Sequence, residues 1–446
     1  MLSEGMGRRR RITVLTVVFC CCLAFLGVQA LMNDSAGSVR ATEGETYPGN
    51  TLISVQGYGE RSPGESGRLI EVTPEGEVVW EFAPPNSRVF EADVLDNGNV
   101  LVAVGTRVPA AECPDEHLQR EDDHCIRNRA IELDGDSLES QPQIVWEYDW
   151  VDEQMFAHEV HDVVRLDDGR TAIMDMGNDR AIIVDRRGEI TWEWRAEEHL
   201  TAGTPFYKEY GGPEPPEDGV DWTHANDIEQ LENGNLQMSI RNFDTVIEVD
   251  RETGEIVDTV GRPGDHEVMQ EQHAPNRLEN WGTIVIADSD NNRIVEHDVE
   301  TEEPVWTYGG QDLLHYPRSA ERLPNGNTLI ADSFNDRVIE IDEQGEIVWE
   351  YEGVPFVYSA ERVAIENGQR VSEPGEGDET VPGWQLEGET ADPGAVVGNL
   401  RLLEAWAAFV LPAWIAFPEL IALLVGTLAG VGLVVQSSIA WWGKYR

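Results

Sequence analysis

The stretch "RSAERLPNGNTLIADSFNDRVIEIDEQGEIVWEYEG", residues 318–353, alternates apolar and polar residues through three short runs, with a tight turn at Asn325–Gly326. Period-two alternation broken by Asn-Gly turns is the signature of antiparallel strands with one face buried. The same lines recur along the chain. "EADVLDNGNVLVAVG", "HDVVRLDDGRTAIMD", "NDIEQLENGNLQMSI" and "APNRLENWGTIVIAD" stack on the first run; "RAIELD", "RAIIVD", "TVIEVD" and "RIVEHD" stack on the second. Third runs such as "QIVWEYDW", "GEITWEWR" and "EPVWTYGG" follow, and a further copy starts at "YPGNTLISVQG". Units of roughly 40–50 residues with four short strands are propeller blades. Six copies between about residues 49 and 353 predict an all-β, six-bladed β-propeller over residues 45–365. The recurring Trp of "VWEY" and "TWEW" is expected to pack between blades. The triplets in "DMGNDR", "DSDNNR" and "DSFNDR" are expected to tie Asp175, Asp288 and Asp332 to Arg180, Arg293 and Arg337.

Outside the repeats the composition changes. Residues 1–32 carry a basic tip, Arg8–Arg11, and the uncharged run "ITVLTVVFCCCLAFLGVQALM", long enough to span a bilayer as an anchor or to serve as a signal. Residues 366–400 are acidic and Gly/Pro-rich, and are expected to form a flexible stalk. Residues 401–446 hold "LIALLVGTLAGVGLVVQSSIAWW", a second apolar run that predicts one or two C-terminal membrane segments. Basic residues flank the outer end of each run, so the positive-inside rule puts the chain in the cell membrane by both ends, with the propeller on the extracellular side. There Cys113 and Cys125 are placed to close a disulfide loop, although His117 and His124 between them leave zinc conceivable.

The chain carries 84 acidic against 32 basic residues, a net charge of −52. That excludes nucleic acid as a partner, since phosphates select Lys and Arg. With 41 % hydrophobic residues the chain still affords a core, so the acidity reads as a solvated halophilic surface.

Aligning the blades on Leu95, Leu166, Leu231, Leu278 and Leu323 shows where the pattern breaks. Five residues earlier stand Phe90, His161, Asn226, His273 and Arg318; seven earlier stand Arg88, Glu159, His224, Glu271 and Tyr316. Innermost strands begin there, so His161, His224, Asn226, His273 and Arg318 should converge on one mouth of the channel. Arg241 stands where other blades have Met176, Ser289 and Ser333, and would point a fixed cationic fork inward. The insertion "TPFYKEYGGPEPPEDGVDW" is expected to overhang the mouth, with Phe206, Tyr207, Tyr210 and Trp222 available to stack on a ring.

"NNRIVEHD" resembles the NHL repeat. "HEVHDVVRLDDG", "DWTHANDIEQLENGN", "SIRNFDTVIEVD" and "EQHAPNRLENW" resemble the arylsulfotransferase family that uses no nucleotide sulfate donor. The resemblance runs over about residues 90–353 and is most specific at "HAN" followed by an Arg fifteen residues on. It implies a channel site on a six-bladed propeller, and sulfuryl transfer from a phenolic sulfate ester to a phenol through a sulfated histidine. His273 would then be the nucleophile, while His161, His224, Asn226 and Arg241 hold the sulfuryl oxygens. Arg318 joins the substrate-binding set, His161 or His224 would protonate the leaving phenolate, and no metal or cofactor is required. The residue types suit the chemistry. An imidazole can attack, and donors aimed at the equatorial oxygens stabilise the charge. Two alternatives stand beside it. One is a metal-dependent lyase or hydrolase on the same three His; the other is a non-enzymatic, membrane-tethered NHL-like scaffold.

Overall fold

The computed structural model describes residues 12–26, 38–40, 44–57, 66–114, 117, 124–139, 141–153, 158–216, 221–310, 313–366, 369–372, 381–391 and 417–442. They fall into two compact units, residues 37–393, and residues 1–36 with 394–446.

The larger unit contains six sheets, each with a four-stranded antiparallel meander. Five blades are continuous in sequence. Their innermost strands are Ser87–Val94, Val160–Arg165, Ala225–Gln230, His273–Leu278 and Pro317–Arg322, and we number the blades 1 to 5 in that order. Blade 6 is composite: Asn50–Val55, Arg68–Val72 and Val78–Phe82 come from the start of the propeller, and the innermost strand, Val357–Glu366, from its end. Consecutive innermost strands contact one another around the ring, including Val357–Glu366 against both Ser87–Val94 and Pro317–Arg322. The ring is therefore closed by pairing the two ends of the repeat region. This placement needs the inner strand after residue 353, where the counted copies stop.

Apolar clusters lie between neighbouring blades. One joins Met174, Ile183 and Trp194 of blade 2 to Ile228, Met238 and Ile247 of blade 3. The repeated Trp does pack between blades: Trp146 Nε1 donates to Arg186 O of the next blade (3.2 Å), and Trp349 Nε1 to Pro74 O (2.9 Å). The turn triads form as expected, with Arg180, Arg293 and Arg337 Nε 2.7, 2.6 and 2.8 Å from Asp175, Asp288 and Asp332.

A second repeated pair crosses each of four blade boundaries. Arg165–Glu132 (2.7 Å), Arg277–Glu248 (3.5 Å), Arg322–Glu296 (3.1 Å) and Arg362–Glu340 (2.6 Å) join an innermost strand to the third strand of the preceding blade. Each Arg immediately precedes the alignment apolar residue, so the pairs are a register device. Buried ion pairs contribute little net stability, whereas each buried Leu or Ile contributes roughly 1.5–3 kcal/mol. The apolar clusters hold the blades together and the ion pairs fix how they meet.

One expectation changes here, and another rests where the sequence left it. The stalk predicted over residues 366–400 is not free of the propeller. Gln369–Ser372 pairs with Val357–Glu366, and Thr390–Ala391 pairs in parallel with the outer strand of blade 4. Between them Gly383 N donates to Glu296 Oε1 (3.0 Å), and Arg322 Nη1 donates to Val381 O (2.8 Å). Composition read as flexibility missed that backbone groups here satisfy a buried ion pair. The terminal unit contains helices at residues 12–26 and Phe417–Trp442. Among the described residues no helix is long and apolar enough to cross a membrane, so the two membrane helices rest on the sequence alone. The apolar stretch at residues 401–416 lies outside the described residues.

Cys113 and Cys125 are joined in a disulfide, not a zinc site.

Candidate active site

The alignment position five residues before each blade's Leu becomes one ring around the channel: Phe90, His161, Asn226, His273, Arg318 and, from the closing strand, Tyr358. All are buried. His161 lies 4.7 Å from Phe90 and 5.0 Å from His224, centroid to centroid, and Tyr358 lies 6.0 Å from His161 and 6.2 Å from His273. Tyr358 thus sits between the two imidazoles, and its hydroxyl donates to Asn226 O (3.3 Å).

The position seven residues before the Leu forms a second tier. His224, Glu271, Tyr316 and Phe356 there have φ of +44°, +47°, +54° and +54°. Side chains other than Gly rarely adopt this conformation, at a cost of order 1–3 kcal/mol, and it clusters at functional sites. Four equivalent positions share it.

Hydrogen bonds fix the tautomers. His273 Nδ1 lies 3.1 Å from Glu271 O and 2.9 Å from Ser289 Oγ. A carbonyl only accepts, and Ser289 Oγ itself donates to Pro317 O (2.7 Å), so Nδ1 carries the proton. His273 Nε2 therefore holds a lone pair, and no hydrogen bond engages it among the described residues. His224 is fixed in the same sense by different partners. Arg241 Nη1 lies 3.0 Å from His224 Nε2; a guanidinium can only donate, so Nε2 accepts and Nδ1–H donates to Asp221.

Arg241 is held on its other edge by Asn242 Oδ1, 3.2 Å from Nε and 3.1 Å from Nη2, with Glu271 Oε2 3.8 Å from Nη2. Arg318 is 4 % exposed and donates to Gln56 Oε1 (2.9 Å). Its guanidinium lies 5.4–5.9 Å from the rings of Tyr316, Phe334, Phe356 and Tyr358, and no carboxylate pairs with it among the described residues. A buried cation without an anion is a costly arrangement that a bound anion relieves. Asn226 Nδ2 donates to Gln272 O (2.8 Å), leaving its second N–H available and its buried Oδ1 unpaired.

Electrostatics agree with neutral imidazoles. Burial first, then the charges of Arg318 and Arg241, push His273 well below the ordinary histidine value. Burial, His224 and Arg88 do the same to His161. His224 is lowered by burial and Arg241, with Asp221 opposing. Arg318 is itself lowered by burial to about 10, and so stays cationic at neutral pH.

All six residues singled out in the sequence meet at this mouth, but the role expected of one of them changes, and so does that of the insertion. His224 has both nitrogens engaged, so it supports Arg241 and cannot protonate a leaving group. The insertion does not supply stacking rings as expected. Phe206 and Trp222 are buried with Trp194, Leu200 and Phe243, and Tyr207 donates to Glu214 (2.7 Å). The aromatic wall comes instead from Phe90, Tyr316, Phe334, Phe356 and Tyr358. The sequence reading missed Ser289, Tyr358, Asp221 and Asn242. Ser289 was visible at Arg241's equivalent position, and Tyr358 required knowing that blade 6 is composite. Among the described residues no group of three or more His, Cys, Asp or Glu is placed to hold a metal ion.

The family model for arylsulfotransferase (ASST) matches residues 152–280, the segment holding His161, His224, Asn226, Arg241 and His273. No curated protein matches the chain. Among solved structures, a protein of unknown function from Bacteroides caccae is similar at 15 % identity and TM-score 0.48, covering 70 % of this chain and 98 % of that one. The periplasmic gluconolactonase PpgL of Pseudomonas aeruginosa is similar at 14 % identity and TM-score 0.41, covering 71 % and 99 %. Virginiamycin B lyase from Staphylococcus aureus is similar at 13 % identity and TM-score 0.35, covering 59 % and 69 %.

Proposed function

We propose that the protein transfers a sulfuryl group from a phenolic sulfate ester to a phenol, with His273 as the covalent nucleophile. The observation that carries this reading is the His273 tautomer. Nδ1–H is held by Glu271 O and Ser289 Oγ, which leaves the Nε2 lone pair facing a mouth that also holds Arg241 and Arg318. The family match over residues 152–280 supports the same reaction class.

In the first half-reaction Nε2 attacks sulfur and the sulfur–oxygen ester bond breaks, so the electron pair leaves with the phenolate. In this reading Arg241 and the remaining Asn226 N–H donate to the sulfuryl oxygens. Arg318, among the aromatic rings, donates to the phenolate oxygen. In the second half-reaction the acceptor oxygen attacks sulfur and the nitrogen–sulfur bond breaks. The acceptor's proton passes to His161, which starts neutral, and from there to solvent. Donors of this kind contribute about 10²–10³ each in rate. Because a neutral His161 is a poor acid, the first phenolate leaves unprotonated, and donors with more acidic phenols should react faster. The disulfide at Cys113–Cys125 fits an oxidising compartment and supports placing the propeller outside the cell membrane.

The test is a chromogenic phenyl sulfate given to the purified chain with a second phenol, without nucleotide. Sulfate should be trapped on the peptide containing His273, and His273→Ala should abolish both the adduct and turnover. Turnover that survives His273→Ala, or an adduct elsewhere, overturns the proposal. The metal-dependent alternative loses one of its three ligands, because Arg241 occupies His224 Nε2 and Asp221 its Nδ1.

A further inference from the structure

Four side chains in the mouth form a hydrogen-bonded chain, of which the proposed reaction uses only Arg241 directly. Asp221 accepts from His224 Nδ1–H, and His224 Nε2 accepts from Arg241 Nη1 at 3.0 Å. Asn242 Oδ1 takes Nε and Nη2 from the other edge (3.2 and 3.1 Å), and Asn242 Nδ2 returns to Asp221 O (2.8 Å). A guanidinium has five N–H groups. Three are committed to His224 and Asn242, which leaves one hydrogen on each terminal nitrogen, the bidentate pair that suits two oxygens of one tetrahedral anion.

The loop carrying this chain is built for it. Asp221 and His224 have φ of +57° and +44°, and between them Thr223 donates to Asp179 Oδ1 through both N and Oγ (2.9 and 2.6 Å). The backbone is held in two left-handed residues whose side chains then meet. Free imidazole can place its proton on either nitrogen. Only the Nδ1–H form can accept from Arg241, and the Asp221 carboxylate at Nδ1 strengthens that selection by accepting from the proton.

We propose that Asp221 is a positioning residue: by holding the proton on His224 Nδ1 it makes Nε2 an acceptor, and so aims the Arg241 fork at the transferring anion. This rests on the role of Arg241 given above, but the chain of tautomers is independent of it.

The experiment uses the full chain labelled with ¹⁵N-histidine, and long-range ¹H–¹⁵N spectra with His224 assigned by its loss in His224→Gln. Wild type should show His224 as Nδ1–H with an unprotonated Nε2. Asp221→Ala should move it towards a mixture, Asp221→Asn towards Nε2–H because an amide N–H can donate to Nδ1, and Asp221→Glu should restore the wild-type form. On aryl sulfate, Asp221→Ala should lower kcat about 10²-fold with a smaller change in KM, as expected for a donor that matters most in the transition state. A His224 that keeps its tautomer in Asp221→Ala overturns the proposal. So does a changed tautomer with unchanged kcat while Arg241→Ala is impaired. If wild type turns over no aryl sulfate, the functional reading fails. The spectra then decide the positioning claim alone, with the weakening of inorganic sulfate binding in Asp221→Ala as the second measurement.

Discussion

In the proposed reaction His273 can attack only while its proton stays on Nδ1, and two acceptors keep it there: Glu271 O, which no side-chain substitution removes, and Ser289 Oγ. Removing one neutral hydrogen bond costs about 1 kcal/mol, roughly fivefold in rate. Ser289→Ala should therefore lower kcat by about that factor without abolishing the sulfated intermediate, measured beside His273→Ala. Acidity supplies a second check. Burial and the Arg318 and Arg241 charges hold His273 well below the ordinary value near 6.5, so the nucleophile is already deprotonated across neutral pH. For aryl sulfate, kcat/KM should stay level from about pH 8 to about pH 6 and fall only in more acid solution. A fall centred near 6.5 would show that the imidazole is not desolvated. At this scale the sequence revealed residue types and their convergence, because blade alignment puts equivalent positions on one ring. It did not reveal proton positions, since these depend on a carbonyl two residues upstream and on a serine hydroxyl at the end of the next strand of the same blade. For the same reason His224 read as an acid when it is an acceptor.

Among the elements, the blades were legible and their connections less so. Alternation and the Asn-Gly turns report local geometry that each strand carries by itself. What covers blade 4 is not local. The segment at residues 381–391 reads as an acidic linker, yet Gly383 lies against Glu296 and Trp306, and a Cβ there would meet Glu296 Oε2 at 2.5 Å and the Trp306 Cβ at 2.6 Å. Glu296 and Arg322 are fully buried, so displacing the strap would expose an ion pair that keeps the Thr283 and Thr328 hydroxyls but loses Gly383 N and Val381 O. Gly383→Val should destabilise the propeller by about 1–3 kcal/mol. It should also open the segment at residues 381–391 to limited proteolysis, read by comparing cleavage rates with wild type. Unchanged cleavage would mean that the strap is held elsewhere, for instance by the Thr390–Ala391 pairing alone.

For the whole molecule, the governing quantity is a net charge of −52 on a chain proposed to bind an anion. Two fields oppose each other at the mouth. Arg241 and Arg318 attract within a few ångströms, and the acidic surface repels over the screening length, about 8 Å at 0.15 M salt and about 3 Å at 1 M. Added salt therefore removes the repulsion before it reaches the buried, desolvated cations. A chain whose binding is limited by its surface should show kcat/KM for aryl sulfate rising as KCl goes from about 0.05 M to about 1 M. Thermal stability should rise by several degrees over the same range, as self-repulsion is screened. Substrate capture governed by the two arginines alone would give the opposite slope, a monotonic fall, as in ordinary anion binding. The sign separates the readings, and the neutral variant Arg318→Gln tells them apart further. It should lower kcat/KM at every salt concentration yet keep the upward slope, because the slope belongs to the surface and the offset to the site.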